Sequence, residues 1–398
     1  MPGVIGLRGS GEFNTDFRPT NYRELFTLLE PNGNAPLNAM MAMGSSESTD
    51  DPKYNNFRDE LPDRTLLLGG SYAGDSSTTS LTLDASSEEG YVLKGSIIVN
   101  ANTGEVMHAT EDGLTTANTL KVIRNIGGTS LGVTAGDELF VAGFAAQEGD
   151  VSPSAISFDP TVAYNFTQIF RTPFKVTETL AHTYRRTGDA EDEYSTKALK
   201  LHMSDCERAH LFGRRHETAG SSSQPTRYTG GVTTMISNVT DVSTSGGSPD
   251  GVAGQITEES FDRMLIEDIF AYGSSEKIMF CGAKVAGHLQ AFGKNRWQPT
   301  TVEGTYGVNL TRYKTFAGDL MVHLHPQFRQ IPSMGSAALI LDFPYLKYRF
   351  LEGRDTSLLR DRQSNDEDAR KHEYLTECGL ELLQDKVHTY VKGWTKYK

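Results

Sequence analysis

Thr187-Gly188-Asp189-Ala190-Glu191-Asp192-Glu193 opens, and Glu207-Arg208-Ala209-His210-Leu211-Phe212-Gly213-Arg214-Arg215 closes, the stretch of this chain whose reading decides its fold. The carboxylates stand where the positive end of a helix dipole favours them, and Arg214, Arg215 and His216 stand at the other end with the favoured sign. At about 100° per residue, Tyr194, Ala198, Leu201, Ala209 and Phe212 fall on one arc, and Leu199, Met203, Cys206 and His210 on an adjacent one. Lys197, Lys200, Ser204, Glu207 and Arg208 take the remaining face. The pattern predicts a long helical spine covered on two sides.

After the spine come loops, at 221–225 and over the Ser- and Gly-rich 243–254. The β-branched run Gly231-Val232-Thr233-Thr234-Met235-Ile236 reads as a strand. Residues 257–272 read as a helix, with Thr257 as N-cap and Phe261, Met264, Leu265, Ile269 and Phe270 as its buried stripe. Strands are expected at 277–281, 320–324 and 337–342, with a helix at 283–292, making one compact α+β unit over 235–342. Near the end, Tyr374, Thr376, Cys378, Leu380 and Leu382 alternate with Glu373, Glu377 and Glu381. Glutamates every four residues also fit a helix, but Gly379 and the following Val387-His388-Thr389-Tyr390-Val391 favour a pair of strands.

Before the spine, short β-type runs lie at 80–83, 95–99, 119–123 and 138–142, punctuated by Asn102-Thr103-Gly104, Gly127-Gly128 and Ala135-Gly136-Asp137. They predict a β-hairpin region with little apolar mass of its own. The first 65 residues or so carry Phe13, Phe17, Tyr22, Leu25 and Phe26 among Pro19, Pro31, Pro36, Pro52 and Pro62, with one short helix expected at 22–29. Such an arm has no core of its own and is expected to become ordered only in an assembly, against another surface.

The 398 residues allow two to three domains at roughly 150 residues each. The net charge, 38 − 51 = −13, argues against a dedicated nucleic-acid binder and against a polybasic membrane-surface protein. Cys206, Cys281 and Cys378 are far apart and odd in number, so free, reduced thiols are expected. The first residues lack the apolar run of a signal peptide, and no apolar stretch approaches the ~18 residues of a membrane span, so a soluble protein made inside a cell is expected.

The search for chemistry returns little. Gly6-Leu7-Arg8-Gly9-Ser10-Gly11 lacks the strand and helix of a nucleotide-binding turn. His323 and His325 lie two apart, a spacing a metal-dependent hydrolase uses, but no third ligand stands near them. Cys206 and His210 are four apart on the apolar side of the spine, where packing explains them. Arg185, Arg186, Arg214 and Arg215 flank the spine and leave two readings open, contact with phosphates or with carboxylates of a neighbouring chain; the second is favoured. No catalytic residue, cofactor or metal site is expected.

Several strings carry a resemblance: Thr172-Pro173-Phe174-Lys175-Val176-Thr177-Glu178-Thr179, Tyr184-Arg185-Arg186-Thr187-Gly188, Arg227-Tyr228-Thr229-Gly230-Gly231 and Tyr272-Gly273-Ser274-Ser275-Glu276-Lys277. Thr305-Tyr306-Gly307, His325-Pro326, Lys347-Tyr348-Arg349-Phe350-Leu351-Glu352-Gly353-Arg354-Asp355-Thr356 and Glu373-Tyr374-Leu375-Thr376-Glu377-Cys378-Gly379-Leu380-Glu381 follow. In this order, over roughly residues 155–395, they resemble the major capsid proteins of one group of tailed bacteriophages. The resemblance implies an α+β, Hong Kong 97-type capsid fold: an N-terminal arm (1–65), an extended β-loop (66–150), a peripheral domain with the spine helix (151–234), an axial domain (235–342) and C-terminal peripheral strands (343–398). It implies self-assembly into pentamers and hexamers of an icosahedral head around DNA held by weak, non-specific contact. Portal protein and scaffold or decoration proteins are the other expected partners. Another virion protein, of tail or decoration type, is the nearer alternative and the hydrolase the more distant one. Arg349, Arg354 and Asp355 are expected at subunit boundaries beside Arg185, Arg186, Arg214 and Arg215, with Arg354 and Asp355 pairing across one.

Overall fold

The computed structural model describes residues 35–38, 41, 46–61, 64–74, 78–84, 89–113, 118–128, 131–149, 151–157, 159–185, 188–220, 224–292, 301–302 and 310–397. The helix expected at 22–29, the glycine-rich start and Arg186 lie outside them. The chain divides into two compact units, Phe57–Val162 and the flanking Met1–Asn56 with Ala163–Lys398.

In the larger unit the spine is an α-helix, Ala190–Phe212. The Asp189 side chain accepts from Glu191 N, three acidic residues fill the first turn, and Gly213 caps the end. It packs on a five-stranded sheet in the order Ser46–Thr49, Leu346–Leu351, Ala369–Leu382, Gln168–Thr177, with Ser357–Leu359 also on the long C-terminal strand. Gln168–Thr177 runs antiparallel to Ala369–Leu382, and Ser46–Thr49 runs parallel to Leu346–Leu351. Alternation along Ala369–Leu382 turns Tyr374, Thr376, Cys378, Leu380 and Leu382 toward one side, where His202, Cys206, His210 and Leu211 of the spine are buried. Leu201, expected on the buried arc, is exposed.

A second, seven-stranded sheet has the order Asn238–Asp241, Thr389–Lys392, Ala338–Leu341, Glu276–Cys281, Asp319–Leu324, Leu310–Lys314, Thr301–Val302. The strands expected at 277–281, 320–324 and 337–342 are three of these, and the helix Ala283–Phe292 stands where expected. Thr257 caps the helix Glu258–Met264 in a capping box with Ser260, and a π-helical turn, Leu265–Ile269, continues it. Its stripe packs with Met279, Leu320, Ile340 and Trp394 in a separate core. The last two strands are not a pair: Ala369–Leu382 belongs to the first sheet, and Thr389–Lys392, expected among the peripheral strands, belongs to the second. Alternation marks a strand but not its partner, and the ten-residue strand Gln168–Thr177 matches the long C-terminal strand along its whole length.

The run expected as a strand at 231–236 is instead a helical turn, Val232–Met235. Its threonines cap the spine: Thr233 Oγ1 donates to Leu211 O at 2.7 Å and Thr234 Oγ1 to Gly213 O at 2.8 Å. A helix end leaves its last carbonyls open, and these hydroxyls fill them.

The arm also departs from expectation. Leu37 and Met41 are fully buried in the core that holds Cys206, Leu211, Cys378 and Leu380 of the same chain. These residues need no assembly to find their surface.

The unit Phe57–Val162 holds a six-stranded sheet in the order Thr65–Leu67, Glu138–Phe144, Ser96–Asn100, Val106–Ala109, Thr119–Ile123, Thr78–Thr82. The expectation of little apolar mass fails here. Leu66, Leu81, Ile98, Met107, Leu120, Val122 and Leu139 form a core of their own. Each short strand gives one or two apolar residues, and burying each stabilises by roughly 1.5–3 kcal/mol. Arg124 and Glu105, both fully buried, pair through two contacts of 2.9 and 2.7 Å, and Arg124 also donates to Ala73 O and Leu131 O.

Candidate assembly site

Two polar systems in the larger unit sit where an apolar core is expected. The first is centred on Glu207, fully buried on the spine. Its Oε1 accepts from Leu37 N at 2.9 Å and its Oε2 from Asn38 N at 2.8 Å. His325 caps the helix Pro326–Gln330 by accepting from Gln327 N at Nδ1, so its Nε2 carries the proton and donates to Glu207 Oε1 at 2.9 Å. Asn38 Oδ1 lies 2.7 Å from His210 Nδ1, and Asn38 Nδ2 donates to Met203 O at 3.4 Å. The spine thus carries a buried carboxylate aimed at the backbone of the arm. Without the arm that carboxylate would keep one partner in a place closed to water, a costly state.

The second system runs down the C-terminal strand. Glu373, Glu377 and Glu381 are four apart, hence on one face of a strand, and each is nearly buried. Each meets an arginine from a neighbouring segment: Arg171 with Glu373, Arg354 with Glu377 at 2.5 Å, and Arg349 with Glu381 at 2.6 Å. The Arg171 guanidinium beside Glu373 holds that carboxyl below its usual range. Glu47 joins the row from the arm strand, 2.9 Å from Lys347 and 3.3 Å from Arg349. Between two of the glutamates, Gly379 has no room for a side chain: a Cβ would lie 2.5 Å from Tyr54 Oη and 2.6 Å from Phe166 O.

The residues singled out in the sequence fall in separate places. Arg349 and Arg354 share the glutamate row. Asp355 Oδ1 accepts from Tyr348 Oη at 3.1 Å and Thr356 N at 2.7 Å. Arg185 pairs with Glu193 at 2.7 Å, and Lys197 pairs with the same carboxylate. Arg215 lies over the ring of Tyr164, and Arg214 is exposed without a partner among the described residues. His323 and His325 both stand edge-on to Phe280. His325 is fully buried against Glu207 and stacked on Phe328, whereas His323 is half-buried edge-on to Phe280. Among the described residues no group of three or more His, Cys, Asp or Glu is arranged to hold a metal ion. Cys206, Cys281 and Cys378 are free and buried. The neighbouring Cys378 sulfur and burial push the Cys206 thiol up, and burial pushes Cys281 up to about 12.

The sequence reading missed three groups. Glu207 looked like a solvent-facing charge, the glutamate row was noticed only for its spacing, and Lys277 was read as part of an apolar strand. The Lys277 ammonium is buried and donates to Ile269 O, Tyr272 O and Val387 O at 2.6–2.8 Å, and burial lowers it to about 8.

The first system fastens the arm and His325 to the spine, and the second ties the strands of the sheet, the arm strand included, to one another. The comparisons agree with that structural character. The family model of the SU10 major capsid protein matches residues 9–395. The chain belongs to the SU10 major capsid protein family. The major capsid protein of Pseudomonas phage PaMx41 is 27% identical over 421 residues, covering 98% of this chain and 97% of that one. Among solved structures, the capsid of a native GTA particle covers 98% of this chain and 99% of its own at 9% identity and a TM-score of 0.46. The capsid of Myoviridae phage XM1 covers 98% and 100% at 11% identity and a TM-score of 0.42. The family assignment rests on the sequence match. The chain is a phage major capsid protein, a virion component that mixes helices and strands in an α+β architecture. The family match leaves no support for a tail protein, a decoration protein or a hydrolase.

Proposed function

We propose that this capsid protein is the shell-forming subunit of a phage head, assembling with its own copies into pentamers and hexamers of an icosahedral shell around packaged DNA. What supports the reading most is the match to a capsid family along almost the whole chain. The role is mechanical and involves no catalytic step or cofactor. Each subunit offers a rigid wedge, the spine helix on its sheet, fastened by the Glu207 and glutamate-row contacts. Many modest interfaces between such wedges close a shell by avidity.

In this proposal residues 1–65 act as the arm, 66–150 as the extended β-loop, 151–234 with 343–388 as the peripheral domain, and 235–342 with the strand Thr389–Lys392 as the axial domain. Portal protein and scaffold or decoration proteins are further partners, DNA is touched weakly and without sequence preference, and assembly takes place in the host cytoplasm. Arg185, Arg186, Arg349, Arg354 and Asp355 are proposed at or near subunit boundaries. Arg354 is suited to this because its side chain is 43% exposed while anchored on Glu377. Sedimentation velocity on the purified full chain tests the reading. Rings of five or six copies and megadalton shells are expected, and a persistent 43.7 kDa monomer over all salt and concentration ranges overturns it.

A further inference from the structure

We infer that Lys53 and Arg215, held together over Tyr164 with Arg214 next along the chain, form a receptor for the carboxylates of Glu267 and Asp268 on a second copy of this chain. The inference rests on the shell-subunit reading and names one of its contacts.

The receptor is built from three segments. Lys53 stands at the start of the strand Lys53–Arg58, Tyr164 on the strand Thr161–Phe166 paired with it, and Arg215 just beyond the end of the spine helix. The Lys53 ammonium is 4.5 Å from the centroid of the Tyr164 ring and the Arg215 guanidinium 4.2 Å. Arg215 Nη1 donates to Tyr164 O at 2.8 Å, and the ring is braced edge-on by Phe166 at 5.7 Å. Two like charges do not gather on one ring without compensation. The negative face of the aromatic supplies part of it, and an arriving anion supplies the rest.

Lys53, Arg214 and Arg215 are exposed, and none reaches a carboxylate of its own chain among the described residues. That sets them apart from Arg124, Arg171, Arg227, Arg349 and Arg370, which are paired with Glu105, Glu373, Glu217, Glu381 and Glu178. Two cations gathered on one ring without a carboxylate of their own, in a chain with 51 acidic residues, point outward to a partner.

The complementary surface is the helix that continues through Leu265–Ile269. Glu258, Glu259, Asp262, Glu267 and Asp268 stand there against Arg263, so its charge is 1 − 5 = −4. Glu267 and Asp268 are adjacent and exposed, and Arg263 lies 3.9 Å from Glu267 alone. Burial first, and then the neighbouring Glu267, hold the Asp268 carboxyl above its ordinary range against the pull of Arg263, and a further cation would favour its charged form.

A phosphate backbone is the competing anion. Three cations on a chain of net charge −13 give only weak, salt-labile attraction to it, while the field of the whole chain repels a polyanion. A carboxylate pair on an identical neighbour meets the patch in a fixed register, and arginine favours that geometry.

The test is charge reversal and its reversal. The double variant Lys53→Glu/Arg215→Glu is expected to melt and to scatter as a folded subunit like wild type, yet to form shells at least about tenfold less well. Glu267→Lys/Asp268→Lys alone is expected to fail in the same way, and all four changes in one chain are expected to restore shells. Wild-type shell yield from either double variant overturns the contact. So does failure of the four-fold variant to assemble while folded. Loss of binding to a short DNA duplex with shells unchanged also overturns it and assigns the patch to phosphate. If wild type itself forms no capsomers or shells, the shell-subunit reading falls, and this contact with it.

Discussion

Replacing Glu207 with alanine is expected to release residues 35–41 from the spine while leaving the rest of the chain folded. The carboxylate accepts three hydrogen bonds, from Leu37 N, Asn38 N and His325 Nε2, all in a site closed to solvent. Removing it orphans three buried donors, and each costs about 1–3 kcal/mol when nothing replaces its acceptor. Partial relaxation of the arm puts the net loss at about 5 kcal/mol, a large share of the ~5–15 kcal/mol that holds a typical domain. At about 2–4 °C per kcal/mol for a unit of this size, the melting temperature should fall by roughly 10–20 °C. Glu207→Gln keeps the volume and one carbonyl oxygen but turns a donor toward a backbone N–H, so roughly half that loss is expected. Circular dichroism measures the melting, and amide hydrogen exchange locates the change. In wild type the Leu37 and Asn38 amides are protected, and in Glu207→Ala they exchange at the rate of free chain. Unchanged protection of both amides, with melting within about 2 °C of wild type, would refute the claim that Glu207 fastens the arm.

Gly379→Ala pushes a methyl group into Tyr54 Oη and Phe166 O, so a loss of about 1–3 kcal/mol is expected in chemical denaturation, with Gly379→Ser worse. Burial lowers the pKa of His202, which lies between Thr172 Oγ1 at 2.9 Å and Thr376 Oγ1 at 2.7 Å. The folded state therefore binds its proton less readily than the unfolded one, so stability is full above about pH 6.5 and declines as pH falls below it. Denaturation at pH 5 and pH 7.5 should show that decline in wild type and a smaller one in His202→Gln; equal slopes contradict it. Because Cys206, Cys281 and Cys378 are buried, a thiol reagent should titrate none in the native chain and three after unfolding. A covalent ladder on non-reducing electrophoresis would contradict the free thiols.

Much of the fold was legible because local rules and global packing agree. The spine was readable from its acidic first turn and its basic end. The strands at 277–281 and 337–342 were readable from their apolar runs, which suit strands buried on both faces, and the strand at 320–324 from its alternation, with Leu320 and Val322 buried between half-buried neighbours. Glu207 was not legible. On a helical wheel it sits with Lys200 and Arg208, and only the arrival of residues 170 and 118 positions away makes it the most buried carboxylate of the spine. The glutamates at 373, 377 and 381 satisfy a helical period and a strand face alike, because four is even. The threonines of the turn Val232–Met235 carry strand propensity, yet their hydroxyls are spent on the carbonyls of a helix end that the sequence does not show to be adjacent. The β unit misled by the shortness of its strands, each too thin alone, whose single buried residues add up to a core.

The claim at the centre of this account is that one folded chain is a building block for a closed shell. Negative-stain electron microscopy of the full chain, expressed alone and concentrated at moderate salt, tests it most directly. The account predicts closed particles or tubes built from rings of five and six copies, and fields of dispersed single subunits under every condition tried would contradict it.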